Sequence, residues 1–325
     1  MTKTIKLPEK ASLSEAKALT GELLNIKLSQ DGSPAADVMG YLADTVGKGL
    51  RSKLMLCAAQ DDSGNIPGSA IEAAAAIELL HLATLLHDDV IDDSEIRRGK
   101  PSVQKQYGKK SAVISGDYLL CQCFLLIAKI SVPFTDKFER IARTAAKICG
   151  GEMRQFRQSW NLSLTPMDYL RVCAGKTAAL FSLSLYAGSI LGGYCETEAR
   201  AAGRIGNYIG MAFQLEDDCM DYYSDVDILK KPVKNDLAEG VVTLPFIFAM
   251  AKEPGLRDLV ACGISSVADI RIVASEVIRL GGVEHTQEIA RRYHEKAEKV
   301  LNSWPKSPRY ESLLNELNEI RLRKF

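Results

Sequence analysis

Two short acidic stretches carry the strongest chemical signal in this chain. LLHDDVID (85–92) and QLEDDCMD (214–221) share the pattern Asp-Asp-x-x-Asp. Positions i and i+4 of a helix lie on one face, so Asp88 aligns with Asp92 and Asp217 with Asp221, while Asp89 and Asp218 flank those faces. Each stretch offers hard carboxylate oxygens, with no His or Cys close enough for zinc. Such ligands suit Mg2+, which keeps waters and completes its shell with substrate phosphates. A lone acidic helix end is usually just solvated. Both copies read as the C-terminal end of a long apolar helix, where negative charge opposes the macrodipole unless a cation compensates. Facing each other, two such clusters would clamp a diphosphate through several Mg2+ ions.

Basic residues accompany them. Arg97 and Arg98 follow the first stretch, Lys48 and Arg51 lie near the first helices, and Lys176 and Lys231 come later in the chain. Arg grips phosphate bidentately and Lys as a point charge, so an anionic substrate fits. His81 and His87 are six apart, which is not zinc-ligand spacing. The eight cysteines form no CxxC pair and read as core fillers of a reducing compartment.

Helices must position these groups. Segment 70–94 is rich in Ala and Leu without Gly or Pro, and it starts after Pro67-Gly68. Further helices are expected at about 10–30, 35–46, 49–60, 111–130, 135–160, 166–193, 196–224, 242–252, 266–280, 284–302 and 308–323. Period-2 alternation is almost absent, and 226–241 reads as a polar loop. The 325 residues therefore read as one all-α domain, a bundle of long helices spanning 1–325. The 41 basic and 41 acidic side chains cancel, which argues against a nucleic-acid-binding domain. The N-terminus lacks the apolar core of a signal peptide. Glu78, His81, His87 and Gln122 interrupt the most apolar stretches, so no transmembrane run is expected. The cytosol is the expected compartment.

With these residues in view, the chain resembles the trans-polyprenyl (E-isoprenyl) diphosphate synthases. HLATLLHDDVIDDSEIRRGKPS (81–102) resembles their first aspartate-rich motif with its trailing Arg-Arg-Gly, and FQLEDDCMD (213–221) the second. GKTAALF (175–181), GEMRQ (151–155), KPVKNDLAEGVVTLP (231–245) and GKGLRSK (47–53) match further motifs, in family order. The departures are Gly49 for Arg, Ser52 for Pro and Val241 for Lys. The resemblance implies a helical bundle around a deep cavity, usually homodimeric.

It further implies that Asp88, Asp89, Asp92 and Asp217, and less directly Asp218 and Asp221, hold a trio of Mg2+ ions on an allylic diphosphate such as farnesyl diphosphate. Arg97, Lys176 and Lys231 would contact that diphosphate. Lys48, Arg51, His81 and Arg98 would hold isopentenyl diphosphate, and Thr177 and Gln214 would lie beside the reacting carbons. Ionisation of the allylic C–O bond, attack by the isopentenyl double bond and loss of a proton then extend the chain by one isoprene unit. In the family, residues four and five positions before the first motif set product length. Here they are Thr84 and Ala83, small enough to favour a long product, with Phe124 as a candidate floor or ordinary core residue. An accessory subunit, a short-chain product, a class I terpene cyclase, an HD-type phosphohydrolase and a non-catalytic helical subunit are the alternatives. Release of a long product would place the protein at a membrane surface.

Overall fold

The structure, a computed structural model, describes residues 5–29, 36–43, 47–130, 135–227, 236, 239–261 and 267–322. Fifteen α-helices dominate these residues. They are α1 (Leu13–Leu28), α2 (Ala36–Ala43), α3 (Leu50–Ala58), α4 (Gly68–Ile91), α5 (Val103–Tyr107), α6 (Lys109–Lys129), α7 (Thr135–Arg157) and α8 (Pro166–Cys173). After a π-helical turn at Ala174–Ala178 come α9 (Ala179–Leu191), α10 (Glu196–Asp227), α11 (Leu244–Lys252), α12 (Gly255–Ala261), α13 (Val267–Arg279), α14 (Gly282–Leu301) and α15 (Pro308–Arg321). Strands β1 (Lys10–Ala11) and β2 (Ile66–Pro67) pair antiparallel, as do β3 (Ile96–Arg97) and β4 (Lys100–Pro101). The all-α expectation holds.

The chain divides into two compact units. One holds Met1–Lys137, Ser184–Gly203 and Pro305–Leu313, and the other holds Phe138–Leu183, Arg204–Trp304 and Leu314–Phe325. In the first, α4 packs against α6, α1 and α3. Its buried face is largely Ala70, Ala73–Ala76, Leu79, Leu80 and Ala83, small residues that let neighbouring helices come close. In the second, α11 packs against α14, α13 and α8 around Leu244, Phe246, Leu215 and Val283.

Three features differ from the sequence reading. The single helix expected over 166–193 is broken by the π turn that carries Lys176 and Thr177. Backbone meets backbone there: a Cβ at Gly151 would lie 2.5 Å from the Lys176 amide nitrogen. Secondly, α10 continues six residues beyond Asp221 to Asp227, so the second acidic motif sits inside its helix and not at the end. Thirdly, α4 and α6 do pass as membrane-length apolar helices by length and composition, with 72% and 44% of their most apolar windows buried. The few polar residues in them are too sparse to break such a window.

Close approach also fixes Gly188, whose Cβ would meet the Met55 carbonyl oxygen at 2.2 Å. Gly188→Ala must push α9 away from α3. It should lower the unfolding free energy by about 1–3 kcal/mol, read by urea denaturation; unchanged stability would mean that the helices part without cost.

Candidate active site

In the first unit, α4 delivers the first acidic motif at its C-terminal turn. The helix ends at Ile91, and Asp92 is its C-cap, its N–H donating to the Asp88 carbonyl at 2.8 Å. Asp88 and Asp92 are half-buried. Asp89 points the other way and is only 3% exposed. The Arg97 guanidinium returns to it, Nε donating to Oδ1 at 2.9 Å with a second, shorter bond from Nη2. A buried carboxylate needs such a partner to remain ionised.

Arg97 is aimed by a two-residue hairpin. Arg97 pairs with Lys100, and the two residues between them, Arg98 and Gly99, have φ of 53° and 77°. Positive φ at both central positions is what a type I′ turn requires, and Gly meets it at little cost. Arg98, in the turn itself, departs from the strand direction. Its guanidinium lies against Gly47, where a Cβ would come within 2.4 Å of Nη2.

That placement assembles a cationic locus. Lys48 is exposed in the loop next to Gly47, and α3 begins at Leu50, carrying Arg51. Arg51 Nη1 donates to His81 Nε2 at 3.0 Å. Arginine has no lone pair to offer, so Nε2 is the acceptor and the ring proton sits on Nδ1. Burial first, and then the charges of Arg51, Arg98 and Arg97, push the His81 pKa well below its ordinary value. His81 is therefore a neutral donor inside a ring of guanidinium groups, an arrangement suited to an anion. His87 rests instead on Gly116, with Asp117 at 3.4 Å, which is a packing role.

The remaining residues of this unit divide by exposure. Ala83 is fully buried, and half-buried Thr84 bonds back to the His81 carbonyl at 2.8 Å. Phe124 is 44% exposed on α6, so it is not core packing within this unit.

In the second unit, the π turn presents Lys176 and Thr177. Lys176 Nζ pairs with Glu152 at 2.9 Å, the Glu of the GEMRQ stretch. Thr177 Oγ1 donates to Gln214 Oε1 at 2.6 Å, and Gln214 Nε2 donates to Asp218 Oδ1 at 2.9 Å. The hydroxyl proton is thus committed, and the Thr177 lone pairs remain for another electrophile. Asp218, 1% exposed, also accepts from the Tyr169 hydroxyl. Lys231 lies outside the described residues.

Sequence reasoning did not find Tyr169, or Asp236, which shares a hydrogen bond with Asp221. Tyr169 reads as one more apolar position of α8, and only the contact with Asp218 reveals its hydroxyl. Asp236 stands in the quoted loop without a spacing signal.

Burial, and after it charge crowding, decides the titration of this cluster. Burial and then Asp236 raise the Asp218 pKa to about 8 and the Asp221 pKa to about 9. Carboxyls that keep their protons for lack of counter-charge fit a divalent cation, which would ionise them. Among the described residues no three His, Cys, Asp or Glu side chains already converge on one point. Water and substrate oxygens would complete the shell, as is usual for Mg2+.

Both carboxyls titrate above the unfolded value of about 3.9, so the folded protein binds protons that the unfolded chain releases. Stability must fall as pH rises from that value to about 8–9. In EDTA the melting temperature should decline between pH 6 and pH 9, less steeply in Asp221→Asn, and Mg2+ should raise it more at high pH. A melting temperature rising with pH in EDTA, read by differential scanning fluorimetry, would contradict this account.

The four described free cysteines in the core are Cys57, Cys123, Cys173 and Cys219. Burial pushes the Cys123 thiol up to about 12, away from thiolate chemistry.

Residues 34–276 match the family model described as polyprenyl synthetase. The chain is 31% identical to heptaprenyl diphosphate synthase component 2 of Geobacillus stearothermophilus, over 90% of this chain and 91% of that one. It is 34% identical to a short chain isoprenyl diphosphate synthase of Methanothermobacter thermautotrophicus, over 84% and 85% of the two chains. The crystal structure of heptaprenyl diphosphate synthase from Staphylococcus aureus matches with a TM-score of 0.90 at 27% identity, covering 97% of this chain and 99% of that one. The chain belongs to the polyprenyl synthetase family and is a prenyltransferase of the trans-polyprenyl diphosphate synthase type.

Proposed function

We propose that this enzyme condenses isopentenyl diphosphate with an allylic diphosphate, such as farnesyl diphosphate, to an all-trans polyprenyl diphosphate of medium to long chain. The observation that carries the reading is the Arg51–His81 hydrogen bond at 3.0 Å, with the Arg98 guanidinium against Gly47 beside Lys48, and His81 two turns from Asp88 on the same helix. The family match across 34–276 supports the reading of those residues as one catalytic region.

Each group then has a task. Asp88, Asp89 and Asp92 with Asp217, Asp218 and Asp221 serve Mg2+ on the allylic diphosphate. Asp89 and Asp218 do so from inside, as the buried members that hold each motif in place. Mg2+ bound there withdraws charge from the leaving diphosphate. Arg97, Lys176 and Lys231 take up charge that grows on that diphosphate as the C–O bond breaks. The Thr177 oxygen and the Gln214 carbonyl turn their negative ends to the allylic cation without acting as good nucleophiles. Lys48, Arg51, Arg98 and the Nδ1–H of His81 hold isopentenyl diphosphate, whose double bond forms the new C–C bond. The proton lost from the adjacent carbon passes to the released diphosphate.

Identity does not decide product length, because heptaprenyl and short-chain relatives match about equally well. Small side chains at Ala83 and Thr84 favour the longer product. Ala83 lies about 7–8 Å before Asp88 along the helix axis, near the first isoprene units of a bound chain. We read the exposed apolar face of α6, with Ile114, Phe124 and Leu125, as the contact with a second copy of the chain. The protein is assigned to the cytoplasm, peripheral to a membrane when a long product leaves.

Activity should require Mg2+ and vanish in EDTA. Asp88→Ala and Asp217→Ala should each lower kcat by about a hundredfold or more while the fold survives. Full turnover in EDTA, or near-wild-type turnover of both variants, would defeat the reading. Ala83→Phe should shorten the main product with the first condensation intact, read by mass spectrometry. An unchanged product distribution would remove the chain-length assignment.

A further inference from the structure

The start of α3 is held in an unusual way. Gly49 is its N-cap, in the left-handed region at φ 60°, and has no side chain with which to cap the helix. The amide of Ser52, in the first turn, is one of the donors that a helix N-terminus leaves without an intrahelical partner. Ser52 is only 6% exposed, so water cannot readily serve it. Glu78 of α4 does. The Ser52 N–H donates to Glu78 Oε1 at 2.9 Å, and the Ser52 hydroxyl donates to the Gly49 carbonyl at 2.8 Å.

Glu78 is itself 6% exposed, a buried carboxylate directed at a helix N-terminus, where the macrodipole favours negative charge. It lies three residues before His81 and so on the same face of α4. Consecutive residues of α3 are therefore gripped by neighbouring turns of α4: Arg51 by His81, and Ser52 by Glu78. A larger residue at 49 would disturb this grip. A Cβ there would come within 2.9 Å of the Ser52 hydroxyl and 3.8 Å of Glu78 Oε1. The two departures from the related motif, Gly49 and Ser52, thus belong to one device, since a proline at 52 would have no N–H to give.

We propose that Glu78 is a positioning residue for the anion pocket of Lys48, Arg51 and Arg98, and that isopentenyl diphosphate affinity depends on its bond to the Ser52 amide. This rests on the reading that Arg51 binds isopentenyl diphosphate. Glu78 touches no substrate; it fixes the turn from which Arg51 reaches out.

The test is steady-state kinetics with each substrate varied in turn, on variants whose folding is checked by circular dichroism. Glu78→Leu should raise the isopentenyl diphosphate KM about tenfold or more, with the farnesyl diphosphate KM within about twofold of wild type. Glu78→Gln keeps an acceptor oxygen and should recover most of the loss. Ser52→Pro removes the donor and should raise the same KM, but less so in a Glu78→Leu background, where no carboxylate is left unpaired. If Glu78→Leu does not fold, Ser52→Pro against Glu78→Gln carries the test. A selective KM effect with non-additive coupling supports the proposal. Equal changes in both KM values, no change, or strict additivity overturns it. An unchanged isopentenyl diphosphate KM in Arg51→Ala removes the pocket reading and the proposal with it. A raised KM in Arg51→Ala beside an unchanged one in Glu78→Leu removes the positioning role alone.

Discussion

A carboxylate taken out of water must find a donor or a cation, or give up its charge. This enzyme places carboxylates inside helical packing in both of its compact units and answers that demand differently each time. Asp89 is neutralised by the Arg97 guanidinium. Glu78 caps a helix across an interhelical contact. Among the described residues Asp218 accepts from the neutral donors Tyr169 and Gln214, and with Asp221 it retains protons that a metal would displace. The acidic motifs are therefore not uniform rows of ligands. Their middle aspartates anchor, while Asp88, Asp92, Asp217 and Asp221 stay half-buried and accessible.

The cationic groups obey the same electrostatics with the sign reversed. Burial, and then the charges of Arg51, Arg98 and Arg97, hold the His81 pKa well below its ordinary value and favour the neutral ring. A neutral imidazole donates one hydrogen bond and adds no further charge to an already crowded pocket. That suits a substrate whose diphosphate must be held but not lost. Lys176, paired with Glu152, is a different case. Its charge is balanced before substrate arrives, and the approach of a diphosphate would exchange one anionic partner for another.

Much of this was legible in the sequence. Periodicity located α4, α6 and α10 within a few residues, and α4 most plainly, because its Ala- and Leu-rich run from 70 has no Gly or Pro. The spacing of Asp88, Asp92, Asp217 and Asp221 was legible because helical geometry turns spacing into direction. The π turn was not; it lies where the Gly151 backbone meets the chain at Gly175–Lys176, a tertiary contact that the local sequence does not announce. The mid-helix position of the second motif was also missed, since polar residues after Asp221 read as an exit from the helix. Tyr169 and Glu78 stayed hidden for a related reason: each acts through a hydrogen bond to a residue on another helix.

The β3–β4 hairpin carries a consequence for how tightly this chain length is constrained. Arg97 and Arg98 are neighbours in sequence yet part company, one sealing Asp89 and the other reaching Gly47. The left-handed turn at Arg98 and Gly99 separates them. A single-residue insertion or deletion between Asp92 and Arg97 would leave composition and charge almost unchanged, yet shift both guanidiniums out of the places that this two-residue turn sets. The segment thus tolerates changes in kind more readily than changes in number, and descendants of this sequence can be expected to vary there by substitution while keeping the count of residues fixed.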